Sequence, residues 1–211
     1  MRELYVVRHG ESMANIERRF DATPPGAPLT ELGLRQAERV AVWLAEQGAR
    51  PSAVYASPFL RTQQTARPFA LAAGARIEIC EELCEVRVGL WDGRSSLTMT
   101  DDAHYLRWRD QPEIAPPGGE TLADVFERVS GLIGRLLASS PQGEPIVLFT
   151  HQHALRAILS DLGRLRGDDG TLVSAPNCAI LHLRATDGGL RLLALDRSIS
   201  AETADGGRAA V

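Results

Sequence analysis

The chain has 211 residues, 44% hydrophobic and 24% charged, which excludes a chain disordered throughout. Lys and Arg number 23 against 27 Asp and Glu, a net charge of −4. Proteins that grip nucleic acid usually carry a basic excess, so that partner is not expected. A chain of this size can bury roughly 70% of the surface exposed when unfolded, and one large domain is the expectation.

Leu4 to Val7 is apolar, β-branched and aromatic, and reads as a buried strand. It is too short for a secretory leader, and no stretch approaches the ~18 apolar residues of a membrane span. Thr30 is placed as a helix N-cap, with Glu31 in the first turn and Leu34, Ala37, Val40, Ala41 and Leu44 at helical spacing before Gly48. Ser52 to Ala56 reads as a second strand. Leu60 to Ala73 is helical in composition, with Pro68 expected to kink or divide it. Arg76 to Ile79 is a third strand candidate.

Residues 80–118 show little periodicity and read as an excursion from the core with short helices of its own. Leu122, Val125, Phe126, Val129, Leu132, Ile133, Leu136 and Leu137 then mark the clearest amphipathic helix. Ile146 to Phe149 is a buried strand and Leu155 to Leu162 a helix. Ala179 to Leu183 and Leu190 to Leu195 form a hairpin-like pair around Asp187-Gly188-Gly189. The expectation is a three-layer α/β/α sandwich with a mainly parallel central sheet and a small helical excursion over its active edge. Residues 1–199 would make one domain, and 200–211 a disordered tail.

Cys80, Cys84 and Cys178 are too few, and odd in number, for a disulfide framework. That fits a reducing compartment, and a cytoplasmic protein is expected. Cys80 and Cys84 have no second pair at zinc-ligand spacing and read as plain thiols.

Three polar clusters each follow a predicted strand: Arg8-His9-Gly10-Glu11-Ser12, Ser57-Pro58-Phe59-Leu60-Arg61, and Thr150-His151-Gln152-His153. The carboxyl ends of parallel strands share one edge, where ligands bind. Two arginines and two or three histidines should therefore converge there. Arginine forks fit phosphate oxygens and stay charged, and histidine can be a nucleophile. Gly10 allows a tight turn and could offer its N–H to an anion. No Gly-rich stretch ends in Gly-Lys-Ser or Gly-Lys-Thr, so a nucleoside-triphosphate site of that kind is not expected.

Arg8-His9-Gly10-Glu11-Ser12 with Asn15 resembles the signature of the histidine phosphatase superfamily, also called phosphoglycerate mutase-like. Further segments carry the resemblance in family order: Pro28 to Gly33 with Gln36-Ala37, Ser57 to Thr62 with Gln64-Thr65-Ala66, and Leu83-Cys84-Glu85 with Gly89, Trp91 and Gly93. Pro117 to Thr121 and His151 with Leu155-Arg156 complete it, so it spans about residues 3–195.

The resemblance implies that His9 becomes phosphohistidine, Arg8 and Arg61 clamp the phosphoryl oxygens, and His151 donates to them. Asn15 would add a hydrogen bond, and Glu85 would protonate the leaving oxygen and then activate water. Ser12 and Gln152 join as substrate-binding residues, and no metal or cofactor is implied. Gln152 stands where the family usually has Gly. The segment 20–27 lacks the family's usual Gly and Asp, and Trp91-Asp92-Gly93 replaces the commoner Trp-Glu-Gly.

The implied function is a phosphomonoesterase acting on a small phosphorylated metabolite. A phosphoglycerate mutase is the alternative, although mutases of this family usually carry a longer excursion. A catalytically silent binding module is disfavoured because nucleophile, clamps and acid are all retained. A metal-dependent hydrolase is invited by His151-x-His153, but the arginines would repel a cation. His153 reads as a pocket-edge or surface residue, and His104 and His182 as surface or strand residues. Among Arg87, Arg94, Arg107 and Arg109, one or two could read a second acidic group on the substrate. A homodimer stays open; no nucleic-acid or membrane partner is expected.

Overall fold

The computed structural model describes residues 1–201 apart from 112 and 142. Six strands form one sheet in the order β3-β2-β4-β1-β5-β6. They are β1 (Arg2–Arg8), β2 (Ala53–Ala56), β3 (Arg76–Ile79), β4 (Ile146–Thr150), β5 (Ile180–Thr186) and β6 (Gly189–Asp196). The first four strands run parallel, and β5 and β6 extend the sheet antiparallel from β1 as the expected hairpin.

The central strands are apolar on both faces because both are covered. Leu4 and Val6 of β1 and Ile146 and Leu148 of β4 join one core cluster. Tyr5, Val7, Val147 and Phe149 join the other. The helices α5 (Leu122–Ser139) and α6 (Gln152–Asp161) pack on the first face with the excursion. On the second lie α2 (Glu31–Glu46) and α3 (Leu60–Ala73), following the one-turn α1 (Met13–Ile16). The excursion consists of 3-10 turns at Glu81–Leu83, Gly89–Trp91 and Ser96–Thr98, then α4 (Ala103–Asp110).

Two local expectations are corrected. Thr30 does cap α2, its Oγ1 accepting from Gly33 N at 3.0 Å. Leu34, however, is 47% exposed, and Gly33 takes the inward position. A Cβ on Gly33 would collide with the Glu11 carbonyl, so the helix approaches the loop after β1 too closely for a side chain. Pro68 does not divide α3, which runs unbroken through it to Gly74 in the left-handed conformation. A proline inside a helix costs about 3 kcal/mol. Burial of Ala66, Phe69 and Ala70 on either side of it offsets that cost.

At the C-terminal end, Ile199 is buried and Ser200 Oγ bonds Arg197 O within the turn Ser198–Ala201. The rest of the expected disordered tail, 202–211, lies outside the described residues. Among the described residues no helix is long and apolar enough to cross a membrane.

Candidate active site

Arg8 pairs with Thr150 at the ends of β1 and β4, and Ser57 N donates to Phe149 O just after β2. The three polar clusters thus meet at one sheet edge, as strand order implied. A cavity of about 370 Å³ opens there, and Arg8, His9, Ser12, Asn15, Arg61, Glu85 and Gln152 all line it. The excursion contributes Glu85, Val86, Val88, Tyr105 and Trp108 to its wall.

His9 Nδ1 lies 2.7 Å from Gly10 O, which can only accept, so the ring proton sits on Nδ1. Nε2 then carries the lone pair, and Arg61 Nε donates to it at 3.3 Å. Burial, then the charges of Arg61 and Arg8, holds the imidazole well below its usual pKa. It is neutral at neutral pH, with a lone pair facing a cationic cavity.

Gly10 differs from expectation. Its N–H donates to Thr65 Oγ1 at 3.0 Å and is not offered to an anion. The glycine is needed for packing, since a Cβ there would lie 2.7 Å from Gly33 O.

Arg61 is the hub. Its NH1 meets Asp21 Oδ2 at 2.6 Å, its NH2 donates to Asp21 O at 2.9 Å, and NH2 also approaches His151 Nδ1 at 3.2 Å. Asp21 lies in the 20–27 loop, which Asp92 ties to the excursion by accepting from Ala22 N and Thr23 Oγ1. Arg8 donates from NH1 to Ala175 O at 2.6 Å. Burial lowers its pKa to about 10, which leaves it charged at neutral pH.

His151 is fully buried and is not among the lining residues; it sits one layer deeper, 5.2 Å from the His9 ring centre. Because Arg61 donates to Nδ1, the ring proton lies on Nε2 and is given to Ser57 Oγ at 2.8 Å. Thr62 Oγ1 lies 2.8 Å further along. In this state His151 offers the cavity no N–H.

Glu85 Oε1 accepts from Val86 N at 2.9 Å and from both His153 N and His153 Nδ1 at 3.2 Å. Burial pushes the carboxyl up, but His153 and His151 and the Val86 N–H together hold it well below the usual range. The carboxylate is therefore the favoured form in the free site. His153, expected at the edge or surface, lines the cavity and stacks on Trp108 at 5.3 Å.

The segment carrying Glu85 is braced from α5. Arg128 NH1 donates to the carbonyls of Glu82 and Cys84, and NH2 to that of Glu85. NH2 also meets Glu120 Oε2 at 3.1 Å, and that oxygen accepts from Arg87 N.

Asn15 Oδ1 accepts from Ser12 N, Ser12 Oγ and Asn177 Nδ2, each at 3.1 Å. That fixes the amide with its NH2 group left over as donor. Asn177 also donates to His9 O and Gly10 O. Asp21, Arg128 and Asn177 were missed by sequence reasoning, for the Arg61 side chain, the Glu82 carbonyl and the His9 carbonyl that they respectively hold lie 40 to 168 positions away.

Cys80 and Cys84 are free thiols. Burial pushes them up to about 11 and about 12. Among the described residues no three of His, Cys, Asp and Glu are placed to hold a metal ion.

A model of the histidine phosphatase superfamily (branch 1) matches residues 4–197. The chain belongs to the histidine phosphatase superfamily. A Yersinia pestis (strain Pestoides F) protein named probable phosphoglycerate mutase GpmB is 31% identical over 185 residues, 85% of this chain and 83% of that one. Mycobacterial glucosyl-3-phosphoglycerate phosphatase Rv2419c, solved with VO3, has a TM-score of 0.79 at 28% identity, covering 91% of this chain and 97% of its own. TTHB049 from Thermus thermophilus gives 0.64 at 32% identity, with 92% and 98% covered. The superfamily fold and the mostly parallel core of the sheet agree with the architecture above.

Proposed function

We propose that this superfamily member is a phosphomonoesterase that hydrolyses a small phosphorylated metabolite through phosphohistidine on His9. The observation that carries the reading is the neutral His9 ring, its Nδ1–H locked on Gly10 O and its Nε2 lone pair accepting from Arg61 Nε, with the charge of Arg8 adding to that of Arg61.

The phosphoryl group enters with its oxygens on Arg8, Arg61 and the Asn15 amide. Nε2 attacks phosphorus while the bond to the leaving oxygen breaks. Glu85 gives that oxygen its proton, which requires the arriving phosphoryl charge to raise its affinity for protons. Water then attacks phosphorus, its proton passes to Glu85, and the N–P bond breaks to release phosphate. Charge neutralisation and positioning supply most of the acceleration. His151 can donate to the phosphoryl group only once a proton sits on Nδ1. Ser57 Oγ–H can turn to donate to the vacated Nε2.

Gln152 and Ser12 shape the wall near the leaving group. No step calls for a metal ion, and activity should survive excess chelator. A cytoplasmic location remains our reading, based on the sequence.

The mutase reading has one observation in its favour, the 31% identity to the Yersinia protein of that name. The short excursion supports hydrolysis. Phosphate release from a panel of phosphomonoesters, measured beside isomerisation of phosphoglycerate, separates the two. Release that persists undiminished in His9→Ala overturns both.

A further inference from the structure

His153 lines the cavity, and the reaction proposed above gives it no task. It is the second residue of α6, so its backbone N–H belongs to the first turn and has no partner within the helix. That N–H donates to Glu85 Oε1 at 3.2 Å, and the ring Nδ1 reaches the same oxygen at 3.2 Å. The Glu85 carboxylate only accepts, so a ring proton lies on Nδ1. With Val86 N at 2.9 Å, three donors crowd Oε1. Its lone pairs are taken, and a proton added to the carboxyl goes to the other oxygen. Oε2 has no hydrogen-bond partner among the described residues and is not sealed off from solvent. Glu85 lines the cavity, so Oε2 is the oxygen that meets a substrate.

The ring is held from its flat side as well. Trp108 of α4 stacks on it, with centres 5.3 Å and planes 25° apart. Trp108 is itself packed against Trp91 at 5.5 Å and Phe20 at 5.9 Å. The stack fixes the ring plane, and the carboxylate fixes which edge faces it. A hydrophobic ring would stack as well, and any residue at this position brings the backbone N–H. What histidine adds is the Nδ1–H.

Other charged or titratable side chains act on Glu85 from the elements around it. They are Arg8 of β1, His9 just after it, Arg61 of α3, and His151 and Arg156 at α6. Among the described residues none of these hydrogen-bonds its carboxyl, and Arg128 of α5 donates only to its backbone carbonyl.

We propose that His153 is the positioning residue of the acid: its Nδ1–H fixes Glu85 Oε1 and so directs Oε2 at the leaving oxygen. The proposal rests on the phosphatase reading with Glu85 as the acid. Because the contact favours the carboxylate, it also lowers the pH at which Glu85 gives up its proton.

The test compares His153→Phe, which keeps the stack and the backbone N–H, with His153→Asn, whose amide can stand in for Nδ1–H. Rapid-quench measures phosphorylation of His9 against pH at saturating ester. One ester is propyl phosphate; the other is an aryl phosphate, whose leaving group needs no proton. With propyl phosphate the rate falls as pH rises through the Glu85 pKa in the complex. In His153→Phe that limb should lie about one pH unit higher, since two or three N–H donors together depress a carboxyl by about two units. Below the limb, the variant should lose about tenfold more rate with propyl phosphate than with the aryl ester, because aim matters only where a proton must be given. His153→Asn should return both limb and rate toward wild type.

A limb that stays in place in His153→Phe, or equal losses on both esters, overturns the proposal, as does His153→Asn behaving like His153→Phe. Nitrogen NMR of the wild-type ring needs neither variant: a proton on Nδ1 is expected, and a ring protonated on Nε2 alone overturns the proposal. Equal losses on both esters in Glu85→Gln would instead overturn the acid reading. An ester-dependent loss in Glu85→Gln with none in His153→Phe overturns the positioning role alone, so the two failures are distinguishable.

Discussion

Replacing Asp21 by Asn tests how Arg61 is held. The pair is 2.6 Å long between side chains only 4% and 12% exposed. At an effective dielectric of 20 its gross attraction is about 6 kcal/mol. Desolvation offsets much of that, and removing one member of such a pair costs about 3–5 kcal/mol because the other charge stays buried. Asp21→Asn keeps the shape and one acceptor for Ala27 N, so about 3 kcal/mol is expected in urea unfolding. The orphaned Arg61 should then seek another anion. Saturating inorganic phosphate should stabilise the variant by at least 1 kcal/mol more than wild type, by mass action on the folded state. With an aryl phosphate, kcat/KM should fall about 10–100-fold, since a displaced clamp no longer fits the transition state. A variant within 0.5 kcal/mol of wild type, with the same response to phosphate, would show that Asp21 does not hold Arg61.

His9 and His151 both hold protons more weakly when folded, chiefly through burial. Below about pH 6.5 the unfolded chain therefore binds more protons, and stability should fall by about 1.4 kcal/mol per pH unit for each ring. Urea titrations at pH 7, 6 and 5 measure the slope, and no extra slope over His9→Asn would refute the His9 share. Glu85→Gln should spare phosphorylation by an aryl phosphate and slow it about 10²–10⁴-fold for an alkyl phosphate, which rapid-quench detects. Equal small losses on both would remove Glu85 as the acid. Arg128→Met takes donors from three carbonyls and leaves Glu120, a buried carboxylate, with Arg87 as its remaining partner. A loss of about 3 kcal/mol is expected, with hydrogen exchange rising first in residues 81–87; uniform exchange would show that the brace is not local.

The sheet edge was legible because it depends only on chain order. Short apolar runs give strands, and the residues following parallel strands must meet. The α5 stripe and the Thr30 cap were legible for a similar reason, since each is a local pattern. Whatever depends on the approach of distant backbones was hidden. Leu34 has the right spacing for the core face of α2, but the contact of Gly33 with Glu11 turns the helix away. Gly10 looked like an anion-binding turn, yet Thr65, 55 residues on, takes its N–H.

Glu85 shows the same limit in electrostatics. The acid role we propose for it asks for a proton, while its folded neighbours Val86, His151 and His153 favour the carboxylate. Only the substrate's own charge can reverse that, and no sequence pattern reports it. Asp21 sits in a loop without periodicity, so nothing local distinguished it from a solvated acid.

The central claim is the covalent step on His9. Rapid-quench with phosphorus-labelled substrate should trap label that is stable to alkali and lost in acid, on the peptide that carries His9, at up to one per chain. It should form and decay at rates that account for turnover, and it should be absent in His9→Gln. Turnover with no labelled protein at any time, or label residing on another residue, would contradict the account.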